Sequence, residues 1–306
     1  MSRSFLGVKT NMFNVKGSLV AIITPMHQDG SIDWKRLEEL IEWHIQSGTD
    51  SIVAVGTTGE SPTLNFEEHK AVIKFVVDKV NKRVPVIAGA GANSTEEAIE
   101  LTISAYQAGC DATLQVCPYY NKPPQRGLIA HFTAIAKAAP IPVVLYNVPG
   151  RTGCDINPQT TLELSKIPNI CAIKEATDIK RLEEVRKLLP KESGFKIFSG
   201  EDGNCAEAVC KGFIDGVISV TANVAPAQMS QMMRLGLEGK TEEAMAINQK
   251  LEALHKNLFC EANPIPVKWA VNKLGKADKG IRLPLVELAE DKQELVVSAL
   301  KQAGII

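Results

Sequence analysis

A lysine at the end of a short buried strand is the feature of this chain that points most directly to chemistry. Lys174 follows the apolar run Ile170-Cys171-Ala172-Ile173, where a parallel strand would deliver an amine to the mouth of a barrel. A free lysine has a pKa of about 10.4 and is a poor nucleophile near neutrality. Schiff-base chemistry therefore needs an apolar wall that disfavours the ammonium form, and the four preceding residues supply part of one. Taken alone the placement says little, because most lysines that follow a strand extend their charge into solvent.

Other polar residues gather after other apolar runs. Gly56-Thr57-Thr58-Gly59-Glu60-Ser61 brackets two hydroxyls with glycines, and its freed backbone N–H groups suit a carboxylate. It lacks the lysine spacing of a nucleotide-binding loop, and a tight loop with no ligand is the ordinary alternative. Of the chain's 4 tyrosines, Tyr119, Tyr120 and Tyr146 all fall at strand mouths. There an aromatic either caps the core with its hydroxyl wetted or positions a phenol for proton transfer. Arg151, close behind Tyr146, offers a planar fork for a carboxylate, although a loop arginine is more often solvated or in a structural ion pair.

The elements that must position these groups read as eight strands, each followed by an amphipathic stretch. The runs begin at Ser18, Ser51, Val84 and Ala112, and continue at Val143, Ile170, Phe195 and Gly216. Asp33 caps a helix with Leu37, Leu40, Ile41, His44 and Ile45 on its apolar face; Asn65 with Glu68, and Ser94 with Glu97, read as capping boxes. Near-continuous apolar runs suit strands buried on both faces. Eight such units match a closed (β/α)8 TIM barrel better than an open sheet. The barrel is expected over 12–235 and a C-terminal helical region over 236–306, with helices near 240–258, 264–274 and 291–303. Residues 1–11 carry no pattern and read as an extension or tag.

Composition narrows the function. The 306 residues carry a formal net charge of -1 and no basic block interleaved with aromatics, which speaks against nucleic acid. No apolar stretch approaches the roughly 20 residues a membrane helix needs, and the N-terminus lacks a secretory core, so the cytoplasm is expected. Seven cysteines without a C-x-x-C pair read as reduced, mostly buried thiols, and 5 scattered histidines make a metal site improbable.

Together, Gly56-Thr57-Thr58-Gly59-Glu60-Ser61, Pro118-Tyr119-Tyr120-Asn121, Tyr146-Asn147-Val148-Pro149-Gly150-Arg151-Thr152-Gly153 and Ile173-Lys174-Glu175-Ala176-Thr177 resemble the signatures of the dihydrodipicolinate synthase family. That family belongs to the pyruvate-dependent class I aldolases and lyases. The likeness runs in order from about Gly17 to the C-terminus and takes in Asn263-Pro264-Ile265-Pro266-Val267-Lys268.

The resemblance implies a lyase of lysine and diaminopimelate biosynthesis that joins pyruvate to L-aspartate 4-semialdehyde with no metal or organic cofactor. It implies that Lys174 forms the imine, that Tyr146 moves protons, and that Thr57 links Tyr146 to Tyr120. Thr58 would hold the pyruvate carboxylate and Arg151 that of the aldehyde substrate, with Gly200 and Ile218 lining the pocket through their backbone. Tyr120 would enter a neighbouring subunit's site, which implies a homo-oligomer, usually a tetramer built as a dimer of dimers. An L-lysine effector would sit near Ser61, Pro62, His69, Asn93, Glu97 and Tyr119, although Phe66 stands where lysine-sensitive relatives carry a polar residue, often histidine. Two alternatives stand beside this reading. One is a lyase acting on sialic or keto-sugar acids, which needs hydroxyl-binding groups where Arg151 offers a carboxylate clamp. The other is a small-molecule sensor on a retired barrel, against which Lys174, Tyr146, Thr57 and Tyr120 argue jointly.

Overall fold

Strands that are apolar on both faces must be covered on both, and a barrel does this with its own interior and an outer ring of helices. The computed structural model describes residues 13–306, so the expected extension at 1–11 lies outside the described residues. Its first half runs β1 (Gly17–Ala21), α1 (Trp34–Gln46), β2 (Ser51–Ala54), α2 (Phe66–Val80), β3 (Val86–Gly89), α3 (Thr95–Ala108), β4 (Ala112–Val116) and α4 (Gln125–Ala138). The second half runs β5 (Val143–Asn147), a one-turn α5 (Pro149–Thr152), α6 (Pro158–Leu164), β6 (Ile170–Glu175), α7 (Ile179–Leu188), β7 (Lys196–Ser199), α8 (Asp202–Cys210), β8 (Gly216–Ser219) and α9 (Pro226–Leu237). Three further helices follow: α10 (Thr241–Asn257), α11 (Ile265–Lys273) and α12 (Glu290–Gln302). The strands pair in parallel in chain order, and β8 pairs with β1 to close the barrel.

Side-chain alternation divides the core in two. Leu19, Val53, Ile87, Leu114, Val144, Ala172, Phe198 and Ile218 point inward and fill the barrel, with Phe13 stacked edge-on against Phe198 beneath them. The intervening residues, such as Val20, Ile52, Leu145, Ile173 and Val217, face the helices. At the opposite end from the candidate site, carboxylates tie neighbouring strands together. Asp50 accepts from Ser18 N at 2.8 Å, Asp111 from Val86 N at 2.8 Å and Asp215 from Ile197 N at 2.9 Å. On the other rim Asn223 spans the closure, donating to Ala21 O at 2.8 Å and accepting from Ile23 N at 3.0 Å.

Several local expectations need adjustment. β6 does not stop at Ile173 but runs through Lys174 to Glu175, because both stay paired with β5 and β7. The Asn65–Glu68 capping box forms in full, but Ser94 only accepts from Glu97 N, at 3.4 Å, and the Glu97 carboxylate does not return the bond. His69 of α2 is buried, with Nε2 2.7 Å from Gly89 O. Four of the 7 cysteines are buried, and burial pushes the Cys110 and Cys171 thiols up to about 12. Among the described residues no helix is long and apolar enough to cross a membrane.

The C-terminal region returns to the barrel mouth through a buried ion pair. Lys268 of α11 bonds Glu60, which follows the Thr57-Thr58 loop, and both side chains are essentially sealed from solvent. Arg282 adds its backbone N–H to Glu60 at 3.2 Å and forks its guanidinium onto Glu68 at 2.6 and 2.7 Å. Removing one partner of a buried pair strands the other charge, at a cost of about 3–5 kcal/mol. Lys268→Met should therefore unfold at markedly lower denaturant than the parent. Glu60→Gln combined with Lys268→Met should recover part of that loss, since no unpaired charge remains. Equal losses in the single and double variants, measured by urea titration, would show that the charge is not what the fold holds in check.

Candidate active site

Register brings the amine and the phenol together. Tyr146 on β5 pairs directly with Lys174 on β6, and both follow inward-facing residues two positions earlier, Val144 and Ala172. Their side chains therefore enter the barrel mouth side by side. Lys174 Nζ lies 4.3 Å from the centroid of the Tyr146 ring. Lys174 is buried at 6 % exposure and forms no salt bridge among the described residues. Gly200 makes room for it, since a Cβ there would meet Lys174 Cε at 2.9 Å and Ala176 Cβ at 2.6 Å.

The threonine loop closes one wall under backbone strain. Val55 at φ 55° and Glu60 at φ 59° flank it in the left-handed region, which costs a β-branched residue such as valine about 1–3 kcal/mol. Gly89 permits the turn, because a Cβ on it would fall 2.0 Å from Val55 O. Thr57 and Thr58 both line the cavity, and Asn263 reaches across from the C-terminal region to donate to Thr58 Oγ1 at 3.0 Å. Asn263 Oδ1 is buried without a partner among the described residues. Arg151, on the single turn of α5, reaches the same cavity while remaining exposed.

The cavity thus gathers Lys174, Tyr146, Thr57, Thr58, Arg151 and Gly200. It does not take in Ile218, which points into the barrel core, and Val220 lines the wall instead. Tyr120 also lies outside it. That side chain is 89 % exposed, on backbone at φ 72°. Beside it, Asn93 donates to Tyr119 O at 3.2 Å, and burial, helped by the Glu97 carboxylate, pushes the Tyr119 phenol up. Ser61 begins the short turn after the threonine loop and Pro62 is exposed within it, while His69 is fixed to the end of β3.

Glu201, Phe259 and Asn263 also line the cavity; of these only Asn263 lay within the motifs that carry the family resemblance, and none was expected in the site. Glu201 directly follows Gly200 after β7, so its strand-end position was a signal. Burial and the neighbouring Asp202 push its carboxyl up, while Lys174 and Arg151 oppose the shift. Phe259 and Asn263 come from beyond the barrel and leave no strand-end signature. Glu175, next to Lys174 but on the outer face of β6, is completely buried, and burial pushes its carboxyl up to about 7.

Comparison with known proteins agrees with this geometry. Residues 14–303 match the profile of the dihydrodipicolinate synthetase family. The 4-hydroxy-tetrahydrodipicolinate synthase of Dichelobacter nodosus is 60% identical over 289 residues, covering 94% of this chain and 97% of its own. The crystal structure of the chloride-inhibited dihydrodipicolinate synthase of Acinetobacter baumannii, complexed with pyruvate, superposes with a TM-score of 0.94. It is 53% identical and covers 96% of this chain and 100% of that one. A monomeric variant of dihydrodipicolinate synthase superposes with a TM-score of 0.92 at 39% identity, covering 95% of this chain and 98% of that one. The buried strand-end lysine, its paired tyrosine and the threonine loop are thus the mouth of a TIM barrel that belongs to the dihydrodipicolinate synthetase family.

Proposed function

We propose that this chain is a lyase that condenses pyruvate with L-aspartate 4-semialdehyde, giving 4-hydroxy-tetrahydrodipicolinate for lysine and diaminopimelate biosynthesis. One observation carries the reading: a buried amine and a phenol on paired strands share one cavity with two threonine hydroxyls and a guanidinium. Lys174 Nζ attacks the keto carbon of pyruvate. The carbinolamine hydroxyl takes a proton and leaves as water, and the protonated imine remains. That cation withdraws electrons from the methyl group, which loses a proton and becomes the enamine nucleophile. The enamine carbon attacks the aldehyde carbon, whose oxygen takes up a proton. The amine of the second substrate then attacks the imine carbon and expels Lys174, closing the ring.

Tyr146 stands where these protons come and go, and Thr57 in the same cavity extends it as a hydroxyl that can donate and accept at once. Thr58, oriented by Asn263, holds the pyruvate carboxylate together with backbone N–H groups of its loop. Arg151, exposed at the rim, takes the carboxylate of the aldehyde substrate and favours it over a neutral sugar-acid tail. Gly200 supports the pocket by leaving space for the lysine stem, and Ile218 supports it from the core below.

Tyr120 completes the proton path in a neighbouring subunit. The 89 % exposure of this tyrosine, on a left-handed turn, supports that reading, in which the working form is a homo-oligomer, a tetramer assembled as a dimer of dimers. The effector proposed at Ser61, Pro62, His69, Asn93, Glu97 and Tyr119 is L-lysine. Glu97, free of a returned capping bond, and Asn93, held against Tyr119 O, are the groups for its α-amino end.

Borohydride reduction in the presence of pyruvate should add mass to the peptide containing Lys174 and to no other lysine. The same trapping should persist in Arg151→Ala, whose kcat/KM for the aldehyde should fall about one to two decades, the worth of a charge-assisted hydrogen bond. Equal loss of trapping would give Arg151 a structural role instead.

Mixing inactive Tyr120→Phe with inactive Lys174→Ala chains under subunit exchange should restore activity, because one mixed site then carries both intact groups. No recovery despite proven exchange would place Tyr120 outside the partner's site.

Millimolar L-lysine should slow turnover, and Glu97→Gln should lessen the effect. A titration with neither heat of binding nor loss of rate removes the effector while leaving the synthase reading intact.

A further inference from the structure

The residues immediately after the amine and the phenol face the other way, and there they meet. Asn147 and Glu175 are register partners at the last rung of β5 and β6, both completely buried on the outer face. Asn147 Nδ2 donates to Glu175 at 2.9 and 3.1 Å and to Asp155 Oδ1 at 2.7 Å, and Asn147 Oδ1 accepts from Ile156 N at 2.9 Å. Every donor and acceptor of the amide is thus used, and the opposite orientation would aim its oxygen at two carboxylates. Arg181 of α7 holds Asp155 from behind with two bonds of 3.0 Å. One side-chain amide therefore joins the β5 end, the β6 end and the far side of the loop that carries Arg151.

We propose that Asn147 and Glu175 are positioning residues that lock the β5 and β6 ends from outside, fixing Tyr146, Lys174 and Arg151 relative to one another. The backbone bonds at these ends run to neighbouring strands and loops, as in Cys117 N to Tyr146 O at 2.8 Å and Gly200 N to Glu175 O at 2.8 Å. They fix height along the barrel but leave the outward splay of each end to the side chains. The two side chains at the centre of this polar cluster are sealed from water and bonded to each other, so the pair is stiff, because any splay leaves a buried donor or acceptor unpaired. Strand parity then transmits that stiffness to the inner face, where a displacement of the amine or the phenol disturbs proton transfer more than substrate capture.

This inference rests on the synthase reading, and the test separates the two. Borohydride trapping of pyruvate on Lys174 in the parent enzyme checks the reading itself and counts competent sites in every variant. Per trapped site, Glu175→Met should lose between about tenfold and a hundredfold in kcat, the scale of a sub-ångström to ångström misplacement. KM for pyruvate should stay within about threefold, which is the signature of a lost transition-state interaction rather than lost binding. Glu175→Gln, which still accepts from Asn147, should recover most of the rate. Asn147→Ser should reproduce the loss and carries the test should Glu175→Met not fold. Its combination with Glu175→Met should be no worse than the poorer single change, as expected for two halves of one clamp. A kcat per trapped site within about twofold of the parent in these variants, or losses that simply add, would overturn the proposal and leave Asn147 and Glu175 as fold-stabilising residues only.

Discussion

Side chains alternate across a β-strand, and at the ends of β5 and β6 that constraint assigns every polar residue its task. Because Tyr146 and Lys174 are paired and share a parity with Val144 and Ala172, they must enter the barrel together. Because Asn147 and Glu175 have the opposite parity, they must enter the layer between barrel and helices, where they bond each other and Asn147 also bonds Asp155 and Ile156 N. A one-residue slip of β6 would put a carboxyl where the amine belongs, and one of β5 an amide where the phenol belongs. The cavity-facing pair and the polar pair behind it are therefore one feature seen from two sides.

The second wall of the site obeys a different logic. The Thr57-Thr58 loop does not lie along a strand, so no parity fixes it, and its flanks adopt left-handed backbone. Strain of that kind persists only where surrounding structure over-determines it. Here Gly89 leaves space for Val55 O, Thr24 Oγ1 donates to Gly59 O at 2.7 Å, and Lys268 and Arg282 converge on Glu60. The helices beyond the eighth strand thus hold part of the barrel mouth in shape, and Asn263 extends their reach to a cavity hydroxyl.

Burial sets the charge states around the cavity. Desolvation alone would push Lys268 far toward its neutral form, but Glu60 opposes it, and the pair remains the least costly arrangement for two groups that cannot reach water. Glu175 has no cation directly against it among the described residues, so burial dominates and its carboxyl rises to about 7 despite the bonds from Asn147. Glu201, facing the cavity between Lys174 and Arg151, is raised less simply, since two nearby cations counter burial and Asp202. Burial is thus the leading cause at both carboxyls, and what opposes it differs: hydrogen bonds first at Glu175, cations at Glu201.

Much of this was legible in the sequence because it is written locally. Apolar runs marked the eight strands, the Asp33 and Asn65 caps marked helix starts, and polar residues after those runs marked the mouth. The motifs around Thr57, Tyr146, Arg151 and Lys174 carried the family resemblance, and the cavity gathers those four side chains. What the sequence could not decide were partnerships between distant residues. Thr58 and Asn263 stand 205 positions apart, Glu60 and Lys268 208, and neither pair leaves a periodic trace. Tertiary structure alone sealed His69 against Gly89 O, set Val220 rather than Ile218 in the wall, and left Tyr120 outside its own cavity. Hydrophobic period reports which face of an element is covered; which residue covers it, and which polar groups must then bond across the interior, is settled only when the barrel closes.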